Sequence, residues 1–263
     1  MVCLVLRRVF AEIALVALAG TIFFPQPAVA ADKPPVTVFA AASLREAFAA
    51  AALAFTKRTG FAVRFSFGGS DTLATQLLQG APADVFAAAN VAQMTRVASL
   101  VDAPRTFAHN RLVVIAGNHE TSIVSVADLA RRGVRVVIAA SSVPVGAYSH
   151  EAFAKLAKDP AYGLDFYGRV SANVVSEETD VKAVATKVAL GEADAGVVYV
   201  TDVTPALAPK VRVLHFPAGV APEATYPIAA VKNAANADGG RAFIDFITSP
   251  AGSAFLRARG FEE

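Results

Sequence analysis

The chain has one cysteine in 263 residues, Cys3, so a disulfide within it is excluded and stability has to come from packing. Charged residues are only 17% of the sequence against 55% hydrophobic ones, which excludes a disordered chain. The formal net charge is +2 and no block of like charge occurs, so a nucleic-acid backbone finds no electrostatic footprint. The four histidines, His109, His119, His150 and His215, stand in no spacing with Cys, Asp or Glu that suggests a zinc site. Long apolar runs are also missing. Ile13–Phe24 is a 12-residue run, short of the roughly 20 apolar residues that a membrane span needs.

What surrounds that run is the pattern of an export leader. Arg7 and Arg8 supply a basic start, and Ala28-Val29-Ala30 is a small-residue cleavage signal. Residues 1–30 are therefore expected to be a signal peptide, cut after Ala30. The Arg7-Arg8 pair also admits a twin-arginine reading, but the rest of that motif is missing and an ordinary secretory signal is favoured. Cys3 precedes the apolar run, so it is not a lipid-attachment cysteine that follows one, and cleavage removes it together with Arg7, Arg8 and Glu12.

From residue 36 onward, short apolar strands alternate with helical patterns. "VTVFA", Val36–Ala40, leads into a helix whose apolar positions, Leu44, Ala47, Phe48, Ala51, Ala52 and Phe55, fall on one face. Gly60 stops it. "AVRFSF" is a strand, a short helix runs to Gly80, and "ADVFAAA" is a strand. Further on, "NRLVVIAG", "VRVVIAA", "AGVVYV", "VRVLHF" and "YPIAAVKN" read as strands. Helices are expected near 147–158 and 181–190, then in "GRAFIDFI" and "AGSAFLRARG", interrupted at Pro250. This repetition predicts an α/β fold with mostly parallel sheets covered by helices. The length suits two lobes, with crossovers near Arg111 and Pro222: residues 31–110 and 222–263 in one lobe, 111–221 in the other.

The helix starts carry the chemistry. Ser43-Leu44-Arg45-Glu46 reads as a capping box. Ser70 follows Gly68-Gly69, Gly146 opens a helix in "VPVGAYSHEAF", and Val181 falls in the first turn of the helix in "EETDVKAV". A helix start offers unpaired backbone N–H groups and the positive end of a dipole. Several gathered at one crevice make an anion site without a formal positive charge. In open α/β sheets that crevice lies at the carboxyl ends of the strands. Each feature also has a plainer reading: serine as an ordinary cap, Gly68-Gly69 as a turn, Tyr199 as a core aromatic.

Taken together and in order, "VFAAASL", "FSFGGSDTLATQLLQGAPADVFAAA", "VPVGAY", "EETDVKAV", "GEADAGVVYVTD" and "YPIAAV" resemble the periplasmic molybdate-binding proteins of ABC importers, over nearly all of the chain beyond its leader. The resemblance implies a two-lobed periplasmic-binding-protein fold with the ligand in the cleft between lobes. It implies a periplasmic monomer that binds molybdate, and tungstate as well, and passes it to an inner-membrane permease with its ATPase. No resident cofactor, catalytic residue or free metal cation is implied. Carried over residue by residue, the ligand contacts fall on Ser43 and Ser70 in the first lobe and on Val145, Val181 and Tyr199 in the second. The serines would donate hydroxyl and backbone N–H groups, Val145 and Val181 backbone N–H groups, and Tyr199 its phenol. The family often has alanine where this chain has Val145. A backbone donor survives that change, while the pocket's shape can alter.

Such a set of donors suits a fully deprotonated oxyanion, which only accepts. Phosphate near neutral pH keeps a proton that needs an acceptor, and a buried donor without one costs about 1–3 kcal/mol. Sulfate, also acceptor-only, remains an alternative ligand, as does a periplasmic oxyanion sensor an alternative role. A serine hydrolase is disfavoured because "GGSDT" has Thr72 where a nucleophile elbow has glycine. A ferric-ion binder of related fold would use neighbouring tyrosines, and Tyr148, Tyr162, Tyr167, Tyr199 and Tyr226 include no adjacent pair.

Overall fold

The computed structural model describes residues 33–263; the expected leader, with Arg7, Arg8, Cys3 and the cleavage point after Ala30, lies outside the described residues. Ten strands form two five-stranded sheets. The first has the order β2-β1-β3-β10-β4, built from β1 (Val36–Ala41), β2 (Val63–Gly68), β3 (Val85–Ala87), β4 (Arg105–Asn110) and β10 (Ala224–Ala230). The second has the order β7-β6-β8-β5-β9, built from β5 (Leu112–Gly117), β6 (Val136–Ala139), β7 (Val174–Glu178), β8 (Ala195–Tyr199) and β9 (Val211–His215).

In each sheet one strand runs against the other four: β10, antiparallel to β3 and β4, and β5, antiparallel to β8 and β9. These are the strands that follow the two passages between sheets, at Arg111 and through residues 216–223. The chain enters each sheet from the neighbouring one, so its first strand there runs opposite to those laid down by βα units.

The strands are apolar because both their faces are covered. Five of the six residues of β1 are buried, and all six of β5. Helix α1 (Arg45–Thr59) buries Ala47, Phe48, Ala51, Ala52 and Phe55, the periodic stripe read from the sequence. Against that stripe lies the C-terminal helix α7 (Ala237–Ile247), whose Phe243 ring stands 5.6 Å from Phe48 and 5.3 Å from Phe55, both edge to face. The last helix, α8 (Pro250–Arg257), starts anew because Pro250 cannot continue α7. Ser249 caps it, accepting from the Gly252 N–H.

The remaining helices are α2 (Ser70–Leu78), α3 (Val91–Arg96), α4 (Pro144–Leu156), α5 (Phe166–Ala172) and α6 (Val181–Ala189). Of these, α3 and α5 have only six and seven residues, and together with β4 and β7 they have no counterpart in the pattern read from the sequence. Both strands are outermost in their sheets. β4 carries Arg105, Thr106 and His109, and β7 alternates half-buried with exposed residues. Neither has the continuous apolar run of a central strand.

Candidate functional site

Each of the five candidate residues lies at the carboxyl end of a strand. β1 ends at Ala41 and leads into a 3-10 turn, Ala42–Leu44, that contains Ser43. β2 ends at Gly68, two residues before Ser70 opens α2. β6 leads to α4 with Val145 in its first turn, β7 leads to α6 with Val181 as its first residue, and Tyr199 is the last residue of β8. The structure brings all five to one small cavity between the two sheets, of about 10 Å³. Organic ligands occupy pockets of about 300–1,000 Å³, so this cavity is far too small for one. Ser43, Ser70, Val145, Val181 and Tyr199 are all at least 95% buried.

The local chemistry differs from the sequence reading at Ser43. The capping box does not form. Helix α1 starts at Arg45 with Leu44 as its N-cap and no side-chain cap. The Ser43 hydroxyl instead shares a 2.9 Å hydrogen bond with the Tyr226 hydroxyl. Glu46, the other half of the expected box, accepts from Lys182 Nζ at 2.9 Å. A contact with the second lobe outcompetes a local cap. Ser70 is likewise no cap: it is the first residue of α2, after Gly69, and its Oγ accepts from the Ala89 N–H at 3.0 Å.

Each serine thus has a protein partner behind it. An oxygen that accepts from Ala89 leaves the Ser70 proton free to be donated elsewhere. The backbone adds more donors. Pro144 removes one N–H from the start of α4, and no side chain caps that helix. At α6 the Asp180 side chain accepts from Lys182 N and Ala183 N and leaves Val181 N–H unclaimed. No protein hydrogen bond occupies the N–H of Ser43, Ser70, Val145 or Val181 among the described residues. Tyr199 completes the set. Its ring is buried and its hydroxyl has no hydrogen-bond partner. Burial pushes the phenol well above its ordinary pKa, so it stays a donor.

The cavity has no cationic lining. Arg45 lies over the Phe67 ring at 4.7 Å, and the Lys182 ammonium goes to Glu46 and to Asp202, 3.1 Å away. Attraction for an anion comes from the helix starts, each equivalent to about half a positive charge. Asp180, which the sequence reading passed over, lines the cavity. An Asp just before the apolar series Val181, Val184, Ala185 and Val188 is the sequence signal of an N-cap. None of the four histidines lines the cavity.

Two glycines let the backbones approach. A Cβ on Gly146 would stand 2.1 Å from the Ala140 carbonyl oxygen, so glycine seats the first turn of α4 on the end of β6. A Cβ on Gly69 would meet the Thr179 carbonyl oxygen at 2.3 Å, across the cleft.

This arrangement can hold one small acceptor-only anion between two lobes. A family profile described as bacterial extracellular solute-binding protein matches residues 36–262. The chain belongs to that family. Among relatives of this solute-binding protein, the molybdate-binding protein ModA of Mycobacterium tuberculosis is 40% identical over 231 residues, 86% of this chain and 84% of that one. The molybdate-binding protein ModA of Escherichia coli is 32% identical over 242 residues, 88% of this chain and 90% of that one. Among solved structures, the periplasmic molybdate-binding protein of Azotobacter vinelandii superposes with a TM-score of 0.75 at 22% identity, over 87% of this chain and 99% of that one. It has the two-lobed binding-protein fold, and the solute-binding protein described here shares it.

Proposed function

We propose that this protein binds molybdate, and tungstate with it, as the fully deprotonated oxyanion, and delivers it from the periplasm to an ABC importer's permease. The observation that carries the reading is the Tyr199 hydroxyl, buried without a partner in the same cavity as Ser43, Ser70, Val145 and Val181. A buried polar group left unpaired costs about 1–3 kcal/mol, and an oxyanion oxygen would pair it. The relatives' own ligand, at 40% identity over most of the chain, supports molybdate as the ion.

The ion is cargo, and no cofactor or reaction enters the reading. Ser43 and Ser70 would donate hydroxyl protons from the first lobe. Val145 and Val181 would donate backbone N–H groups from the second, and Tyr199 its phenol. A ligand held by both lobes favours the closed arrangement by its differential affinity for it. Calorimetric titration of the purified protein with molybdate, tungstate, sulfate and phosphate tests the proposal. Tight binding of the first two, with weak phosphate, is expected. Sulfate as tight as molybdate would reassign the cargo, and phosphate as tight would overturn the donor-only site.

A further inference from the structure

Ser43 is the one hydroxyl of the site whose proton direction is set at a distance. Its Oγ lies 2.9 Å from the Tyr226 hydroxyl, and Asn110 Nδ2 donates to that same hydroxyl at 3.3 Å. The Asn110 amide is oriented without ambiguity. Its Oδ1 accepts from the Arg111 backbone N–H at 2.9 Å, a group that can only donate. Both Nδ2 protons are then used, one on Thr201 Oγ1 at 2.8 Å and one on Tyr226. Tyr226, fully buried, accepts from Asn110, and either oxygen of the Tyr226–Ser43 pair can supply the proton between them. One lone pair of Tyr226 is taken by Asn110, and donation from Tyr226 to Ser43 leaves the Ser43 proton for the cavity.

We propose that Asn110 is a positioning residue that fixes the Ser43 hydroxyl as a donor through Tyr226, and so sets the preference of the site for unprotonated over protonated oxyanions. This rests on the functional reading above. The placement is apt: Asn110 ends β4 at the first passage between sheets, Thr201 follows β8 in the second sheet, and Tyr226 lies in β10 of the first. All three are more than 90% buried, so bulk water does not compete for their protons. One residue at the crossover thus ties the two lobes together and dictates what the cavity can accept.

The swap that tests it is Asn110→Asp, nearly isosteric but acceptor-only. Asp at 110 would still accept from the Arg111 N–H and would accept from Thr201 and Tyr226. The Tyr226 proton would then point away from Ser43. Ser43 would donate backwards to Tyr226 and present a lone pair to the cavity, an acceptor for a ligand proton. Molybdate and phosphate are titrated at mildly alkaline pH, where both are dianions and phosphate keeps one proton. The added negative charge then weighs on both ligands alike, and the ratio of their affinities isolates the proton direction. The ratio is expected to fall about ten-fold or more in N110D relative to wild type. A wild-type ratio in N110D overturns the role of Asn110.

Should N110D not fold, a double-mutant cycle of Tyr226→Phe and Ser43→Ala decides. Tyr226→Phe is expected to weaken molybdate binding in the wild-type background and to have no effect where Ser43 is already alanine. Factors that simply multiply would overturn the relay. A wild-type protein that fails to bind molybdate at all would defeat the functional reading instead, and the two failures are distinct.

Discussion

Gly69 and Thr179 face each other across the cleft so closely that no side chain fits between them: a Cβ on Gly69 would stand 2.3 Å from the Thr179 carbonyl oxygen. Gly69 has φ −59 and ψ 135, a conformation that any residue adopts, so the restriction comes from its neighbours: the Thr179 carbonyl of the opposite lobe and, at 2.7 Å, the Asp71 carboxylate of its own. Gly69→Ala is therefore a wedge. Overpacking of this kind costs about 1–3 kcal/mol; the Asp71 side chain can turn aside, while the clash with the Thr179 backbone exists only in the closed form. Molybdate affinity is expected to fall about ten-fold or more, with the melting temperature of the ligand-free protein nearly unchanged. A melting temperature that drops as far as the affinity does would place the strain inside one lobe.

The hydroxyl deletions separate ligand contacts from packing. Ser43→Ala, Ser70→Ala and Tyr199→Phe each remove one donor. A hydrogen bond to a charged group contributes about 1.5–3 kcal/mol, so each should weaken molybdate binding about ten- to a hundred-fold. Their stability costs should differ. Ser70→Ala strands the Ala89 N–H, which now donates to Ser70 Oγ, at about 1–3 kcal/mol. Tyr199→Phe strands nothing, since that hydroxyl has no partner. Val145→Ala and Val181→Ala keep their backbone donors and should bind nearly as wild type. Unchanged affinity in all three hydroxyl deletions, measured by calorimetry, would move the ligand elsewhere.

Lys182 holds the lobes together by charge. Its ammonium lies 2.9 Å from Glu46 of the first lobe and 3.1 Å from Asp202 of the second, whose side chain is fully buried. Burial acts to lower the Lys182 pKa, but the two carboxylates outweigh it and push it up. Removing one partner of a buried pair costs about 3–5 kcal/mol, so Lys182→Met should lower the melting temperature strongly. Glu46→Gln breaks only the contact between lobes. That pair is partly exposed and worth about 0.2–1 kcal/mol, so molybdate binding should weaken by no more than about five-fold and stability should hold. Equal melting temperatures for the two variants would contradict this division of roles.

Acid stability should depend on Asp194. Burial acts to raise its carboxyl pKa, but Arg135 outweighs this with hydrogen bonds from its side chain and backbone N–H and holds it below the ordinary carboxylate range. The unfolded chain then binds a proton more readily than the folded one. The stabilisation is present above the unfolded value of about 3.9 and is lost as pH falls through the lower folded value. Thermal melts from about pH 6 down to pH 3 should show a decline that Asp194→Asn makes shallower. An identical decline in the variant would remove Asp194 from the account.

The sequence made long-period features legible and local polar detail illegible. Helix α1 announced itself because Ala47, Phe48, Ala51, Ala52 and Phe55 all face the core. Strands β1, β5 and β8 did so because both their faces are covered. Edge strand β7 and the six-residue helix α3 carry too few apolar positions to set a period. The five candidate residues were placed by motif, and the cavity they share adds the geometry that motifs lack. Ser43 shows the limit. Its spacing to Glu46 spells a capping box, yet its partner is Tyr226, 183 residues away. Asn110 reaches Tyr226 across 116 residues. No local pattern encodes such pairs, because only the tertiary fold brings them together.

The central claim is that one oxyanion sits among Ser43, Ser70, Val145, Val181 and Tyr199. Crystals grown with molybdate and measured at the molybdenum absorption edge test it most directly. The account predicts one strong anomalous peak in that cavity, with oxyanion oxygens about 2.6–3.2 Å from both serine hydroxyls, the Tyr199 hydroxyl and the N–H groups of Val145 and Val181. A peak outside the cavity, or none from a protein that binds molybdate in solution, would contradict it.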